Sequence, residues 1–156
     1  MFGLFETSIL SVAAVANGGL HSIDKSTDPA FSQKMMGDGY VIFPTSGDIV
    51  APVDGKVEML FPTMHAIGIT SKEGIEILLH LGIDTVNLEG KGFQPHVKIG
   101  DVIEQGQLLM KMDLQYINEH APSSEILCIF TGGQKCRILK ETEVSAGQVN
   151  IVKITQ

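Results

Sequence analysis

Tryptophan is absent from this chain of 156 residues, and aromatic residues together make up only 6% of it. Cysteine occurs twice, as Cys128 and Cys136, which is too few for a disulfide framework and lacks the spacing of a zinc motif. We therefore expect both cysteines to be reduced thiols buried in the protein. Hydrophobic residues still amount to 44%, so length and composition predict one domain with a single packed core.

Positive charge is also scarce, because 11 Lys and Arg residues stand against 18 Asp and Glu residues and give a formal net charge of −7. This charge repels nucleic acid and anionic lipid, so we expect neither as a partner. No Lys or Arg precedes Lys25, which argues against a signal peptide. No apolar run approaches the roughly 20 residues that span a bilayer. The sequence predicts a cytoplasmic protein that does not insert into a membrane.

Short apolar runs rich in Val and Ile, separated by Gly, Pro, Asp and Asn, recur along the chain, and no long stretch keeps a helical period. The pattern predicts an all-β fold, an antiparallel β-sandwich or barrel-like structure with at most short helices, one of them starting at Asp113. We expect residues 1–10 to form a short tail and residues 11–156 to form the domain. The predicted strands span residues 11–16, 40–44, 48–51, 55–61, 65–70, 75–82, 108–113, 125–130 and 149–154.

Two weak internal repeats run through these strands. The segment AAVANGGLHSI, residues 13–23, aligns without a gap with VAPVDGKVEML, residues 50–60. Similarly, residues 97–112 and residues 142–154 each place a Gly-Gln turn before a closing strand. Such repetition predicts a sandwich or barrel with an internal duplication, in which each half contains a hairpin.

One predicted hairpin, FPTMHAIGITSKEGIEILLHLGID from residue 61 to residue 84, carries a histidine on each strand. A turn centred between Lys72 and Glu73 places His65 directly opposite His80. Opposed residues of an antiparallel pair point to one side of the sheet, with Cβ atoms about 4.5–5.5 Å apart. We therefore expect both imidazoles to reach the same small group.

The same register divides the rest of the hairpin between two faces, and it pairs Ile67 with Leu78. Further residues expected on the histidine face are Phe61, Thr63, Gly82 and Asp84. Those expected to turn into the core are Met64, Ala66, Leu79 and Leu81. This assignment depends on the register, because a shift of one residue moves every side chain of a strand to the opposite face.

Three interpretations fit a pair of facing histidines. Each histidine can be a hydrogen-bonded structural side chain. The pair can bind zinc, although a catalytic zinc normally takes three protein ligands and Asp84 lies two pairs away along the hairpin. The pair can also perform phosphoryl chemistry, with one neutral imidazole as the nucleophile and the other donating a hydrogen bond to the phosphoryl oxygens.

The residues around this hairpin resemble a known family. The elements GDG, VAPVDG, TMHA and HLGIDTV occur in order between residues 35 and 93, and this segment is similar to the centre of the glucose-type enzyme IIA family of the bacterial phosphoenolpyruvate-dependent sugar phosphotransferase system. The resemblance extends over residues 12–154 and is strongest over residues 31–107. It implies a β-sandwich phosphocarrier that accepts a phosphoryl group from phospho-HPr and passes it to a cysteine of a permease's IIB domain.

The resemblance also implies roles for individual residues. His80 matches the family's phosphorylated histidine, His65 matches the partner that steadies the phosphoryl group, and Thr63 matches the threonine that bonds to this partner. No metal or other cofactor is implied. HPr and the IIB domain are the implied partners, together with regulatory proteins. The implied docking face consists of Phe31, Met35, Phe61, Leu78, Gly82, Asp84 and Val86.

Two other functions can be weighed against this one. Met110, Lys111 and Met112 form the tripeptide that receives biotin in carrier domains, but Lys111 lies on a predicted strand rather than at a hairpin tip. A zinc-binding β-sandwich hydrolase of related architecture needs an HxH pair, which the sequence lacks. We therefore expect a phosphocarrier and favour both alternatives less.

Overall fold

The structure is a computed structural model that describes residues 7–156, so the first six residues of the predicted tail lie outside the described part. In this range the chain forms 13 strands and two short α-helices, and no helix is long and apolar enough to cross a membrane. The strands are β1 Gly18–Ser22, β2 Asp38–Pro44, β3 Asp48–Val50, β4 Gly55–Leu60, β5 Ala66–Ser71, β6 Glu76–Ile83, β7 Phe93–Pro95, β8 Val102–Ile103, β9 Leu108–Met112, β10 Ser123–Phe130, β11 Lys135–Ile138, β12 Thr142–Val144 and β13 Val152–Thr155. The helices are α1 Pro29–Ser32 and α2 Leu114–His120, and 3₁₀ turns span Ile23–Lys25 and Thr85–Leu88.

These strands pair in an antiparallel manner and form three sheets. The large sheet has the order β12-β1-β2-β10-β6-β5-β4-β8, and the smaller sheets have the orders β3-β9-β7 and β11-β13. The main core lies between the sheets, since it contains Leu79 of the large sheet, Met110 of the three-stranded sheet and Ile154 of the two-stranded sheet. The predicted antiparallel β-sandwich with short helices is therefore confirmed.

A second, smaller apolar cluster covers the outer face of the large sheet. It comprises Ile23, Phe31, Val41, Ile83, Leu127 and Ile129, with Phe43 and Leu78 packed against it. Because alternate residues of a strand point to opposite faces, Leu127 and Ile129 lie on this outer face while Cys128 enters the main core. Phe31 anchors helix α1 to the outer face in this way.

Most predicted strands occur within two residues of their expected ends, but the prediction for residues 11–16 is wrong. These residues are largely buried, yet their N–H groups bond to two different segments instead of one neighbouring strand. Ala13 N donates to Pro52 O, and Ala14 N donates to Gln148 O, both at 2.8 Å. Their apolar character therefore reflects burial in the sandwich and not membership of a sheet.

The internal repeats correspond to equivalent hydrogen bonds in the structure. Ala14 N donates to Gln148 O, and Ala51 N donates to Gln107 O at the same distance of 2.8 Å. Equivalent alanines of the first pair of repeats therefore bond to equivalent Gly-Gln turns of the second pair. The predicted duplication is thus a property of the fold as well as of the sequence.

The large sheet shows the same duplication at the level of whole strands. The order β12-β1-β2-β10 on one side matches β8-β4-β5-β6 on the other, and the two quartets meet where β10 pairs with β6. The quartet β4, β5, β6 and β8 comes from one continuous part of the chain, between Gly55 and Ile103. The other quartet combines strands from both ends of the chain.

The register of the β5–β6 hairpin differs by one residue from the predicted register. Ala66, and not His65, lies opposite His80, and Ile67 lies opposite Leu79. Ile67 is consequently in the main core, where the predicted pairing had placed it on the histidine face. The predictions that Leu79 enters the core and that the hairpin exists are confirmed.

A three-residue loop causes this shift. Ser71 N donates to Ile75 O and Gly74 N donates to Ser71 O, both at 2.9 Å, so three residues separate the strands. Gly74 has a φ of +87°, a left-handed conformation that glycine adopts at little cost. A type I turn followed by such a residue is a common hairpin loop. The turn predicted between Lys72 and Glu73 allowed only two loop residues, and the third moves the ladder by one position.

Residues 8 and 9 of the predicted tail pack on the last strand, β13. Ile9 N donates to Ile154 O at 2.9 Å, and Ser8 Oγ accepts from Ile154 N at 3.0 Å. Leu10 belongs to the main core. Residues 8–10 thus contact the domain, while the domain boundary at residue 11 stays a prediction.

Both cysteines are free thiols. Cys128 is buried in the main core, and Cys136 is half-buried against it. Burial raises the pKa of Cys128 to about 12, so this thiol stays neutral at neutral pH.

Candidate functional site

His80 lies near the end of β6, half-buried on the outer face of the large sheet. Its Nδ1 is 2.8 Å from Gly82 O, and because a carbonyl oxygen only accepts, Nδ1 carries the proton and donates it. Gly82 has a φ of +81°, which lets its carbonyl reach the side chain two residues earlier. In the neutral ring Nε2 is then the nitrogen with the free lone pair.

His65 immediately precedes β5 and is only 7% exposed. Its Nδ1 lies 2.6 Å from Thr63 Oγ1, so the hydroxyl fixes the ring from the side of the loop. The Phe61 ring packs edge-on against the same imidazole, with 5.3 Å between ring centroids. His65 is therefore held by one polar and one aromatic neighbour, both among the predicted site residues.

The two histidine rings are in contact although they are not opposed in the ladder. Their centroids are 5.3 Å apart and their planes are inclined by 77°. The regular alternation of faces ends at Ala66, the first residue of β5, and Met64, two residues earlier, has a left-handed φ of +63°. The ring contact is therefore made where the chain enters β5, and not through the opposed register predicted from the sequence.

Phe31 covers His80 from the other side. Its ring centroid is 4.8 Å from that of His80, and the side chain is buried in the second apolar cluster. Asp28 begins helix α1, because its side chain accepts from Ala30 N at 2.8 Å and Pro29 follows at the first helical position. Asp28 is not among the residues predicted from the sequence, although an Asp-Pro pair is a recognisable start of a helix.

Burial keeps both histidines neutral. Burial, and then the neighbouring His65, lower the pKa of His80, while the Gly82 hydrogen bond and the charges of Asp28 and Asp84 act in the opposite direction. Burial also lowers the pKa of His65. Two adjacent uncharged imidazoles result, each with one ring nitrogen already hydrogen-bonded.

The remaining predicted docking residues differ in exposure. Met35 is 72% exposed and Val86 is 47% exposed, while Asp84 lies between the histidine strand and the turn that carries Val86. Phe61 and Leu78 are half-buried and line a groove of about 410 Å³ on the outer face. Because Phe61 also contacts His65, this groove begins beside the histidines.

Comparison with known proteins identifies the family. Residues 10–136 match the family described as phosphoenolpyruvate-dependent sugar phosphotransferase system, EIIA 1. The chain belongs to this family. A solved EIIA relative, the glucose permease IIA from Mycoplasma capricolum, has 41% sequence identity and a TM-score of 0.86, with 92% of this chain and 94% of that chain covered.

Relatives of this EIIA chain occur alone and fused to other components. It is 41% identical over 152 residues to the glucose-specific EIIA component of Oceanobacillus iheyensis, covering 96% of this chain and 92% of that protein. It is 50% identical over 145 residues to the glucose-specific EIICBA component of Staphylococcus carnosus, covering 91% of this chain. The chain spans only 22% of that second relative.

Membership of the EIIA family makes the chain a phosphotransferase component of the sugar phosphotransferase system, as the motifs predicted. The comparisons support neither the zinc-binding hydrolase nor the biotin carrier. Lys111 lies within β9, where it pairs with Asp48 on one side and Gln94 on the other. Lys111 therefore does not lie at a hairpin tip, the position that biotinylation requires.

Proposed function

We propose that this EIIA chain is a cytoplasmic phosphocarrier that receives a phosphoryl group from phospho-HPr on His80 and delivers it to a cysteine of a permease IIB domain. The observation that carries the proposal is the contact of two neutral imidazoles, 5.3 Å apart between centroids, each bonded through Nδ1. Bonding at Nδ1 leaves Nε2 of both rings available to one phosphoryl group. The EIICBA relatives, which contain an EIIA part in a longer chain, support a IIB acceptor.

In the first transfer, the lone pair of His80 Nε2 attacks phosphorus in line with the donor's phosphohistidine nitrogen. The new N–P bond forms as the donor's N–P bond breaks, and the donor imidazole leaves with the bonding electron pair. His80 keeps its Nδ1 proton, so the phosphorylated ring is positively charged, and the Gly82 carbonyl 2.8 Å away stabilises that charge. In the second transfer, a IIB thiolate attacks the same phosphorus and His80 regains its lone pair.

His65 holds the phosphoryl oxygens in this proposal. In this role the Thr63 hydroxyl, 2.6 Å away, donates to His65 Nδ1, which puts the single ring proton of neutral His65 on Nε2, where it is donated to a phosphoryl oxygen. Phosphoryl transfer needs positioning and charge stabilisation more than acid-base chemistry, and no metal ion or cofactor takes part.

Both partners dock in turn on the outer face around the histidines. The exposed side chains of Met35 and Val86, with the half-buried Phe61 and Leu78, provide an apolar surface for such transient contacts. Asp84 and the net charge of −7 favour a partner surface with positive charge. A regulatory protein that binds this face would compete with HPr and IIB.

Incubation with phosphoenolpyruvate, enzyme I and HPr tests the acceptor. One acid-labile, base-stable phosphoryl group should appear on the protein, and His80→Ala should abolish it. His96→Ala, which removes an exposed histidine, is the matched control and should leave the label intact. A label retained on the His80 variant would exclude His80 as the acceptor.

The role of His65 needs a separate measurement. His65→Gln keeps a hydrogen-bond donor but removes the imidazole, so the variant should still be labelled by HPr while transfer to IIB slows about 10²-fold. Complete loss of labelling would contradict this division of roles between the two histidines.

A further inference from the structure

Glu125, on β10, is the only Asp or Glu side chain in residues 7–156 that is fully buried, with 0% exposure. Four hydrogen bonds satisfy its carboxylate. Oε2 accepts from Ser26 Oγ at 2.6 Å and from Thr27 N at 3.1 Å. Oε1 accepts from Thr27 Oγ1 at 2.5 Å and from Ser123 Oγ at 2.7 Å. This side chain therefore joins β10 to the loop that precedes helix α1.

Burying a carboxylate at this position is unfavourable for the stability of the fold. Its four donors are all neutral, and burying a carboxylate costs free energy even when it is hydrogen-bonded. The next residues on β10, Ile126 and Leu127, are apolar and fully buried, so the strand runs through a region suited to apolar side chains. Glu125 is therefore a polar residue whose burial is not explained by apolar packing, in contrast to Ile126 and Leu127.

On the loop side, these contacts lead to His80. Ser26 Oγ, which donates to Glu125, also accepts from Asp28 N at 3.2 Å. Asp28 caps helix α1, and this helix carries the Phe31 ring that packs 4.8 Å from the His80 ring. The position of Phe31 over the imidazole thus depends on where Glu125 holds the loop.

On the strand side, the contacts lead to His80 a second time. Ser123, which donates to Glu125, pairs with Ile83 of β6. The carbonyl oxygen of Ser123 would lie 3.1 Å from a Cβ atom added at Gly82, so the two backbones approach closely. Gly82 O is the acceptor for His80 Nδ1. One carboxylate is therefore linked, through the loop before α1 and through Ser123, to both groups that orient the acceptor imidazole.

We infer that Glu125 is a positioning residue for phosphoryl transfer, which fixes the Phe31 ring and the Gly82 carbonyl around His80. This inference rests on the proposed function of His80. Glu125 makes no contact with the phosphoryl group in it and acts only through the loop and through Ser123.

Two variants of the full chain separate positioning from simple loss of a buried group. Glu125→Leu removes all four hydrogen bonds, whereas Glu125→Gln keeps one acceptor oxygen and offers N–H donors to hydroxyls that can also accept. Glu125→Leu should lower kcat/KM for phosphoryl uptake from phospho-HPr by about 10- to 100-fold, as expected for a displaced reacting group. Glu125→Gln should keep most of the wild-type kcat/KM.

The spectroscopic readout needs no phosphoryl donor. In the unphosphorylated protein, NMR should show cross-relaxation between the Phe31 and His80 rings and the Nδ1–H tautomer of His80. Glu125→Leu should weaken the first signal and change the tautomer ratio, and Glu125→Gln should preserve both. If the wild-type protein shows these signals but takes up no phosphoryl group, the proposed function is wrong. The inference that Glu125 orients His80 would still hold in that case.

Two further variants keep the inference testable if Glu125→Leu does not fold. Thr27→Val removes one donor at an exposed residue and should produce the same changes to a smaller extent. Ser71→Ala removes a buried hydroxyl in the distant hairpin loop, so it should lower stability without changing the His80 signals. Wild-type His80 signals and uptake in Thr27→Val, or in a folded Glu125→Leu, would overturn the inference.

Discussion

Replacing Gly82 with alanine tests how β6 holds His80, and its cost follows from the local geometry. A left-handed conformation, here with φ +81°, costs an L-residue about 1–2 kcal/mol. The added Cβ would lie 2.4 Å from Thr85 Cγ2 and 3.1 Å from Ser123 O. Relieving such overlap in a packed region costs about 1–3 kcal/mol more. We expect Gly82→Ala to lower the free energy of unfolding by about 2–5 kcal/mol.

Gly74→Ala is the matched control, because Gly74 has a similar φ of +87° but no atom lies within 4 Å of the added Cβ. Gly74→Ala should therefore lower the free energy of unfolding only by the cost of the left-handed backbone, about 1–2 kcal/mol. Denaturant unfolding measures both losses. In thermal unfolding, a loss of about 3 kcal/mol should lower Tm by about 6–12 °C, since each kcal/mol shifts Tm by about 2–4 °C at this chain length.

The same pair of variants reports on the site. Gly82→Ala should displace the carbonyl that accepts from His80 Nδ1, which ¹⁵N chemical shifts of the imidazole detect, and Gly74→Ala should leave these shifts unchanged. Equal losses of stability in the two variants would refute the close packing of Gly82 against Thr85. An unchanged His80 tautomer in Gly82→Ala would refute the role of the Gly82 conformation in fixing the acceptor.

Three further predictions concern pH, hydrogen bonding and charge. Burial and the neighbouring His65 lower the pKa of His80 below the ordinary value of 6.5. Phosphoryl uptake should therefore stay constant as the pH falls to 6.5 and decline only below it. An NMR titration that gives His80 a pKa at or above 6.5 would contradict this prediction. The unfolded state then binds more protons, so the free energy of unfolding should decrease as the pH drops through that value. Thr63→Val removes the hydroxyl bonded to His65 and should slow transfer to IIB about tenfold in a rapid-quench assay, an effect that is absent if the hydroxyl does not orient the ring. Asp84→Lys should slow uptake from HPr most at low salt, and rates independent of ionic strength would argue against electrostatic steering by this residue.

The strands and the site differ in how far local sequence patterns determine them. Apolar runs located the strands because each run must be buried, and the same criterion failed for residues 11–16, which are buried without a neighbouring strand. The short strands β7, β8, β11 and β12 contain too few residues for a recognisable alternation. Their formation depends on tertiary contacts.

The contact between the His65 and His80 rings was predicted, but from an incorrect register. Counting two loop residues put His65 opposite His80, whereas Gly74 adds a third residue and the rings meet where the chain enters β5, next to the left-handed residue Met64. Both features involve backbone conformations at positive φ, and Met64 is a residue type that rarely adopts one. The tie between Glu125 and the α1 loop joins residues about 100 positions apart, so no local pattern could have indicated it.

The two quartets of the large sheet become complete at different times during synthesis, because one comes from a continuous part of the chain and the other from both ends. The quartet that contains His80 is complete once β8 has left the ribosome, whereas β10, its neighbour in the sheet, is synthesised later. Until then β6 is an open edge whose backbone groups lack partners on one side, a state prone to pairing with other chains. The strand that closes this edge also delivers Glu125. The pairing of β10 with β6 thus both covers the edge of the histidine strand and brings Glu125 to the site.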